Sequence, residues 1–368
     1  MEGPAPVSDL LYSDTEDALR DSVRTLFADR CPLDSVTKCY DAAPQGFSGL
    51  WRTLAAELGV AGLLVPESLG GAGAGAREAA VVLEEIGRAV APVPFLSSAV
   101  LATVALLRAG DTETVPALAS GASTAALVVP LSTAPWDAIA GVAVGADGLS
   151  GQVTSVAGAA EADVLVVPVA GSSGLELHTV SRDAAGVQVS PKLALDMTRP
   201  LADVQFSGAA STVVGAGAEA VAAALHTGAA LLASEQLGVA QWCFDTTLAY
   251  VKERKQFGRA IGSYQAIKHR LSDLWFEVSS ATSAARYAAD TGARGDDDAA
   301  VAASLAQAYC SGAAVHAAEE CVQLHGGIGM TWEYPAHLFL KRAKSDQLAF
   351  GTAYRHRSRL GELLNLTS

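Results

Sequence analysis

Apolar and polar positions alternate with three different rhythms along the chain. Over about residues 13–120 the apolar side chains recur three and four apart, the spacing that gathers them on one face of a helix. Leu19, Val23, Leu26 and Phe27 form a first stripe, with Asp14 ahead of it as the predicted N-cap. Phe47, Leu50, Trp51, Leu54, Ala55 and Leu58 form a second, ended by Gly59. The run Val65-Pro66-Glu67-Ser68-Leu69-Gly70-Gly71-Ala72-Gly73 holds too much glycine for a helix and predicts a loop. A third helix is predicted over 77–91, stopped by Pro92 and Pro94.

The pattern then shortens. Runs at 126–129, 140–144, 164–169 and 175–180 are rich in Val, Leu and Ala and are separated by Gly, Ser, Pro and Asp, which predicts an antiparallel β-domain. Asp147-Gly148 between two of the runs predicts a hairpin. From 216 the helical period returns. One long helix is predicted over 218–252, a second over 263–289 and a third over 296–324, with residues 292–296 as the loop between the last two. A final helix is predicted after Pro335. The expected architecture is α+β and mostly α: an N-terminal helical domain (1–120), a central antiparallel β-domain (121–215) and a C-terminal four-helix bundle (216–368).

Composition narrows the function. Half of the 368 residues are apolar and 17% are charged, enough for a large core. The net charge of −14 argues against a nucleic-acid partner, because phosphate binding needs clustered Lys and Arg. An anionic ligand would have to be held by local donors. No apolar run reaches the ~18 residues of a membrane-spanning helix. The acidic N-terminus lacks the basic start of a signal peptide, so a cytoplasmic location is expected. Cys31, Cys39, Cys243, Cys310 and Cys321 show no metal-ligand spacing and read as small core residues in a reducing compartment.

Two segments carry candidate chemistry. Arg254-Lys255-Gln256-Phe257-Gly258-Arg259-Ala260-Ile261-Gly262-Ser263-Tyr264-Gln265 follows the long helix. An arginine there can hold a pyrophosphate bidentately and a phenylalanine can cover an aromatic base. A basic helix C-terminus complementing the dipole is the structural alternative. Gln323-Leu324-His325-Gly326-Gly327-Ile328-Gly329 ends a helix in a loop whose main chain can approach a nucleotide closely, or is a plain C-cap.

In this order, and followed by Glu333-Tyr334-Pro335, the two segments resemble the acyl-CoA dehydrogenase family, and Val65 to Gly71 resembles that family's N-terminal loop. The helix–β–helix order agrees over essentially the whole chain. The resemblance implies FAD as cofactor and α,β-desaturation of an acyl-CoA, with a carboxylate removing the α-proton while hydride leaves to the flavin. It implies that Arg254, Phe257, Gln265, Gln323, Gly326 and Gly327 bind the ADP half of an FAD held mainly by an adjacent subunit.

The resemblance breaks at the base. The family's Tyr-Glu-Gly-Thr run corresponds to Ala349-Phe350-Gly351-Thr352, so Phe350 stands at the carboxylate position. The alternative base position, counted back from Gly238-Val239-Ala240-Gln241, is Gly228, followed by Ala229 where an arginine is usual. The loop expected to carry Thr-Glu-Pro and Gly-Ser-Asp is Val129-Pro130-Leu131-Ser132-Thr133-Ala134-Pro135-Trp136-Asp137, and the expected Trp-Ile-Thr-Asn is Ser155-Val156-Ala157-Gly158. Positions that serve a subunit's own flavin and substrate are lost, and those that serve a neighbour's flavin remain. This is similar to the non-catalytic subunit of the heterotetrameric members found in actinobacteria, which act on bulky acyl-CoAs such as steroid side chains. The resemblance implies a catalytic partner subunit with the acyl-CoA in the partner's pocket. Two alternatives stay open. One is a self-sufficient homo-oligomeric dehydrogenase with a relocated base, Asp346 or Glu235, both of which read otherwise as solvated or paired carboxylates. The other is a scaffold of the same fold without FAD.

Overall fold

Ser13 caps the first helix, and Asp14 is its first residue. The Ser13 hydroxyl accepts from the Glu16 N–H at 3.3 Å, and the Glu16 carboxylate accepts from the Ser13 N–H at 2.6 Å. This reciprocal box satisfies two donors where Asp14 alone would satisfy one. The computed structural model describes residues 10–40, 47–172 and 174–366; most of the acidic N-terminal segment, residues 1–9, lies outside them. The N-terminal helices are α1 (Asp14–Arg30), α2 (Leu33–Thr37), α3 (Ser48–Arg52), α4 (Ala76–Ala89), α5 (Thr103–Ala109) and α6 (Val115–Ala119). The predicted second helix continues α3 as a wider π-helical turn over Thr53–Glu57 and ends at Gly59, at φ 71°. Another π-helical stretch, Phe95–Ala102, leads into α5.

The sheet strands are β1 (Ala125–Leu127), β2 (Val142–Gly145), β3 (Gly148–Ala157), β4 (Val164–Gly171), β5 (Gly174–Ser181), β6 (Val187–Pro191), β7 (Leu201–Ala209) and β8 (Thr212–Ala216). Their order is β6-β7-β3-β2-β4-β5-β8, with β1 also on β4. The sheet is not wholly antiparallel as expected. β1 and β2 both run parallel to β4, at Ala125↔Val164 and Val142↔Val169. They lie end to end along one edge of β4, with 128–141 as an excursion between them. A local pattern gives a strand, whereas its direction depends on the partner. The hairpin at Asp147-Gly148 is present: Gly145 pairs with Gly148 and leaves a two-residue turn.

The C-terminal part holds α7 (Ala218–Glu253), a short hairpin of β9 (Lys255–Gln256) and β10 (Arg259–Ala260), then α8 (Gln265–Arg294), α9 (Ala299–His325), α10 (Ala336–Leu348) and α11 (Ala353–Leu363). The long helices α7 to α10 form the bundle. Residues 292–294, expected in a loop, complete α8, and Gly295 at φ 65° ends it. The single last helix expected after Pro335 is two, broken where Phe350 and Gly351 both take positive φ. Helix α4 crosses α7 with main chain against main chain. A Cβ on Gly87 would strike the Glu235 carbonyl, and one on Gly238 the Glu84 carbonyl. One hydrophobic core runs from the N-terminal helices through the bundle, and a second fills the sheet. All five cysteines are buried free thiols. Among the described residues no helix is long and apolar enough to cross a membrane.

Candidate functional site

The two glycine-bearing segments meet in one open cleft of about 820 Å³ at the end of the bundle. Arg254 leaves the helical conformation just after α7 and directs the chain into the β9–β10 hairpin. Gln256 pairs with Arg259, so Phe257-Gly258 is the tip, and both residues have positive φ, 50° and 80°. A two-residue tip of that form suits the twist of a hairpin, but a bulky residue in it is strained. The strain holds an aromatic ring in the open, with Phe257 92% exposed. Opposite, α9 ends at His325, Gly326 turns the chain at φ 65°, and a 3₁₀ turn follows over Gly326–Met330.

Five of the six residues expected from sequence, Arg254, Phe257, Gln323, Gly326 and Gly327, line this cleft. Gln265 is exposed at the first position of α8, between the lining residues Tyr264 and Ala266, and is not part of the wall. Two arginines lie in the wall, in different states. Arg270 is committed to Glu320 through paired contacts of 2.7 and 2.5 Å. Arg254 is exposed and makes no ion pair among the described residues. The free cation of the cleft is therefore the one the sequence singled out.

The floor was legible only in part. His325 is buried, and its Nδ1–H donates to the Cys321 carbonyl at 2.7 Å. Its ring lies against Tyr250 and Tyr334, with centroids 4.2 and 4.3 Å away. These rings brace the end of α9 below the glycine turn. Outside the lining, Arg259 lies over the ring of the lining residue Tyr264 at 3.8 Å. His325, Arg259 and Tyr264 lie in the two segments singled out in the sequence and Tyr334 in Glu333-Tyr334-Pro335, whereas Tyr250 had no sequence signal.

Phe350 and Gly228 meet in the interior. Phe350 is fully buried, and a Cβ on Gly228 would lie 2.9 Å from its Cζ and 2.6 Å from Leu101 Cδ2. The phenyl ring thus rests on bare helix backbone. Its own backbone, at φ 54°, is held from both sides. The Phe350 N–H donates to the Leu131 carbonyl at 2.9 Å, and its carbonyl accepts from His356 Nε2 at 3.0 Å. Burial pushes the His356 pKa down to about 4. The nearby loop is closed by further contacts. Trp136 meets His356 edge-on at 4.9 Å, and Asp137 pairs with Arg355. Ser155, at φ 57°, donates its N–H to Asp203, and Gly158 lies so close to Ser97 that a Cβ would strike its hydroxyl.

Asp346 and Glu235, the fallback acids, are fully buried, so neither is solvated. Both pair with Arg199, and Glu235 also pairs with Arg342. Arg199 is distant in sequence from both acids, and Arg342, one helical turn before Asp346, pairs with Glu235 more than a hundred residues away.

Residues 13–121 match the model of the acyl-CoA dehydrogenase N-terminal domain, and residues 215–364 that of the C-terminal domain. The chain is 35% identical over 340 residues to the acyl-CoA dehydrogenase IpdE2 of Mycolicibacterium smegmatis, covering 92% of this chain and 95% of that protein. It superposes on a chain of the ChsE4–ChsE5 complex from Mycobacterium tuberculosis with a TM-score of 0.87 and 27% identity, over 98% of this chain and 100% of that one. A chain of a variant of the Tcur3481–Tcur3483 steroid ACAD gives 0.85 and 28%, over 96% and 98%.

Proposed function

The chain belongs to the acyl-CoA dehydrogenase family, whose cofactor is FAD, and on that premise we propose that it lends an ADP-binding face to a flavin seated mainly in an unlike, catalytic partner subunit. The pair desaturates an acyl-CoA thioester between its α- and β-carbons. When bound, FAD supplies the hydride acceptor. Arg254 clamps the pyrophosphate, Phe257 covers the adenine, and the Gly326-Gly327 main chain lets the nucleotide come close, with Gln265 and Gln323 as hydrogen-bonding side chains at the edge.

What carries this reading is the contrast between the two places. The cleft is open, faces outward and offers an unpaired cation and an exposed ring, which fit a dinucleotide brought by another chain. The interior is filled where an acyl chain and a base would be needed. Phe350 and Gly228 hold no proton acceptor in their side chains, and the ring of one occupies the space beside the other. A base must lie within hydrogen-bond reach of the proton it takes. Asp346 and Glu235 are tied to guanidinium groups instead. The acyl-CoA then sits in the partner's pocket. Similarity to a steroid ACAD complex supports a heterotetramer and a bulky substrate such as a steroid side-chain CoA.

Co-expression with the partner should give a yellow, active complex with half as many flavins as chains, while the chain alone is colourless and inactive. A yellow, active homo-oligomer of this chain would overturn the proposal.

A further inference from the structure

Three carboxylates and two guanidinium groups are buried together where the sheet abuts the bundle. Asp196 and Arg199 come from the segment between β6 and β7, Glu235 from the middle of α7, and Arg342 and Asp346 from successive turns of α10. Arg199 reaches Glu235 at 2.5 Å and also pairs with Asp346. Arg342 reaches Asp196 at 2.7 Å, the Thr198 hydroxyl at 2.6 Å, and pairs with Glu235. Fully ionised, the cluster carries one negative charge in excess. An uncompensated buried charge is strongly unfavourable.

A second observation points the same way. Glu235 Oε2 and Asp346 Oδ2 are buried with no hydrogen-bond partner among the described residues. One proton would remove the excess charge and turn an orphan acceptor into a donor. A cation is the other way to balance the charge, but the adjoining cavity holds only about 20 Å³, room for one water. Arg199 and Arg342 line it together with Glu235 and with Glu161, whose carboxyl is held above its usual range by burial, so the lining carries no net negative charge to draw a cation in.

We propose that this cluster binds one proton, on Asp346, and works as a pH-sensitive clasp between the sheet and the bundle. The groups facing Asp346 are Arg199 and Asp196 from the β6–β7 segment, Glu235 from α7, and Arg342 on its own helix. The amides of Gln236 on α7 and Gln307 on α9 bond its backbone carbonyl, not its carboxyl. Burial raises the Asp346 pKa most; Arg199 and Arg342 oppose, Glu235 and Asp196 add, and the result is about 7 against an ordinary 3.8. With the folded value raised, the stabilisation is complete below the unfolded pKa. It declines as pH climbs from about 4, and it is gone above about 7. The clasp is therefore tightest in acid. The chain leading from it to Phe350 is held separately, by the Gln307 amide, which donates to the carbonyls of both Asp346 and Ala349.

The test is unfolding of the full chain in its purified complex from pH 5 to 8, wild type against Asp346→Asn, which mimics the protonated acid. The ratio of the wild-type to the variant unfolding constant should rise about tenfold per pH unit up to about 7 and level off above it. Parallel pH profiles would overturn the proposal. Glu235→Gln, which removes the excess charge from the other side, should flatten the profile too and serves if Asp346→Asn does not fold. If potassium, compared with choline at equal ionic strength, stabilises the wild type at pH 8 and not the variant, a cation balances the cluster and the proposal fails.

Discussion

Replacing Arg254 by alanine separates what the cleft does for a flavin from what it does for the fold. The side chain is exposed and free of ion pairs among the described residues, so its loss should change stability by no more than about 0.5 kcal/mol. A charge-assisted hydrogen bond to a phosphate contributes roughly 1.5–3 kcal/mol. At 1.4 kcal/mol per factor of ten, loss of the clamp weakens FAD retention by about 10- to 150-fold. Arg254→Lys keeps the charge but not the planar fork and should fall between. Arg270→Ala is the control. That guanidinium is already taken by Glu320, so its removal should affect the flavin far less. The assay is the flavin-to-protein absorbance ratio of the co-purified complex, followed by the fluorescence of FAD released on serial dilution. An Arg254→Ala complex that keeps FAD within about twofold of wild type would refute the argument, because Arg254 is the unpaired cation among the described residues of the cleft wall.

Two further outcomes can be checked on the same complex. Gly228→Ala puts a Cβ against Phe350 and Leu101 and should cost about 1–3 kcal/mol. Phe350→Ala empties a filled core site at about 3–5 kcal/mol. The double variant should cost clearly less than the sum by denaturant titration, and strict additivity would mean that the two positions do not touch. His356 is held neutral by burial, with its pKa pushed down to about 4. A depressed histidine contributes stability above the unfolded value of about 6.5 that is lost as pH falls towards 4, on the order of 3 kcal/mol in all. This slope is opposite to that of Asp346 over the same range, so each must be read against its own variant. His356→Gln can still donate to the Phe350 carbonyl and should flatten the acid limb; an unchanged limb would show that His356 does not carry it.

The helical parts were legible because their signals are local. The helix expected over 218–252, with Gly228 and Gly238 as its few breakers, is one helix, and Pro92 follows the end of α4 by three residues. The features missed are set by partners far along the chain. The parallel pairing of β1 and β2 with β4 depends on how 128–141 leaves the sheet. The π-helical turns at Thr53–Glu57 and Phe95–Ala102 lie fully within the packed N-terminal helices, where tertiary contacts outweigh propensity. The site divides in the same way. Arg254, Phe257 and the glycine turn announce themselves by type and spacing, whereas the braces on His325 come from α7 and from the segment after α9. Asp346 and Glu235 could be judged only once Arg199 and Arg342 were seen against them.

The two kinds of backbone strain bear on where the chemistry of the chain lies. An exposed phenylalanine at positive φ and an unpaired arginine bring little to the stability of this chain, and the first is a cost. Without a ligand, drift would replace both at small penalty. The interior shows the reverse. Phe350 is also at positive φ, yet its strain is offset by full burial and by hydrogen bonds to Leu131 and His356. A chain that had lost all function would have little reason to keep the first kind of strain, and one that still bound its own substrate would have none to keep the second. Costly exposure at the cleft together with a well-packed ring on Gly228 is what a subunit would hold if its remaining chemical task lay on its surface, against a flavin carried by another chain.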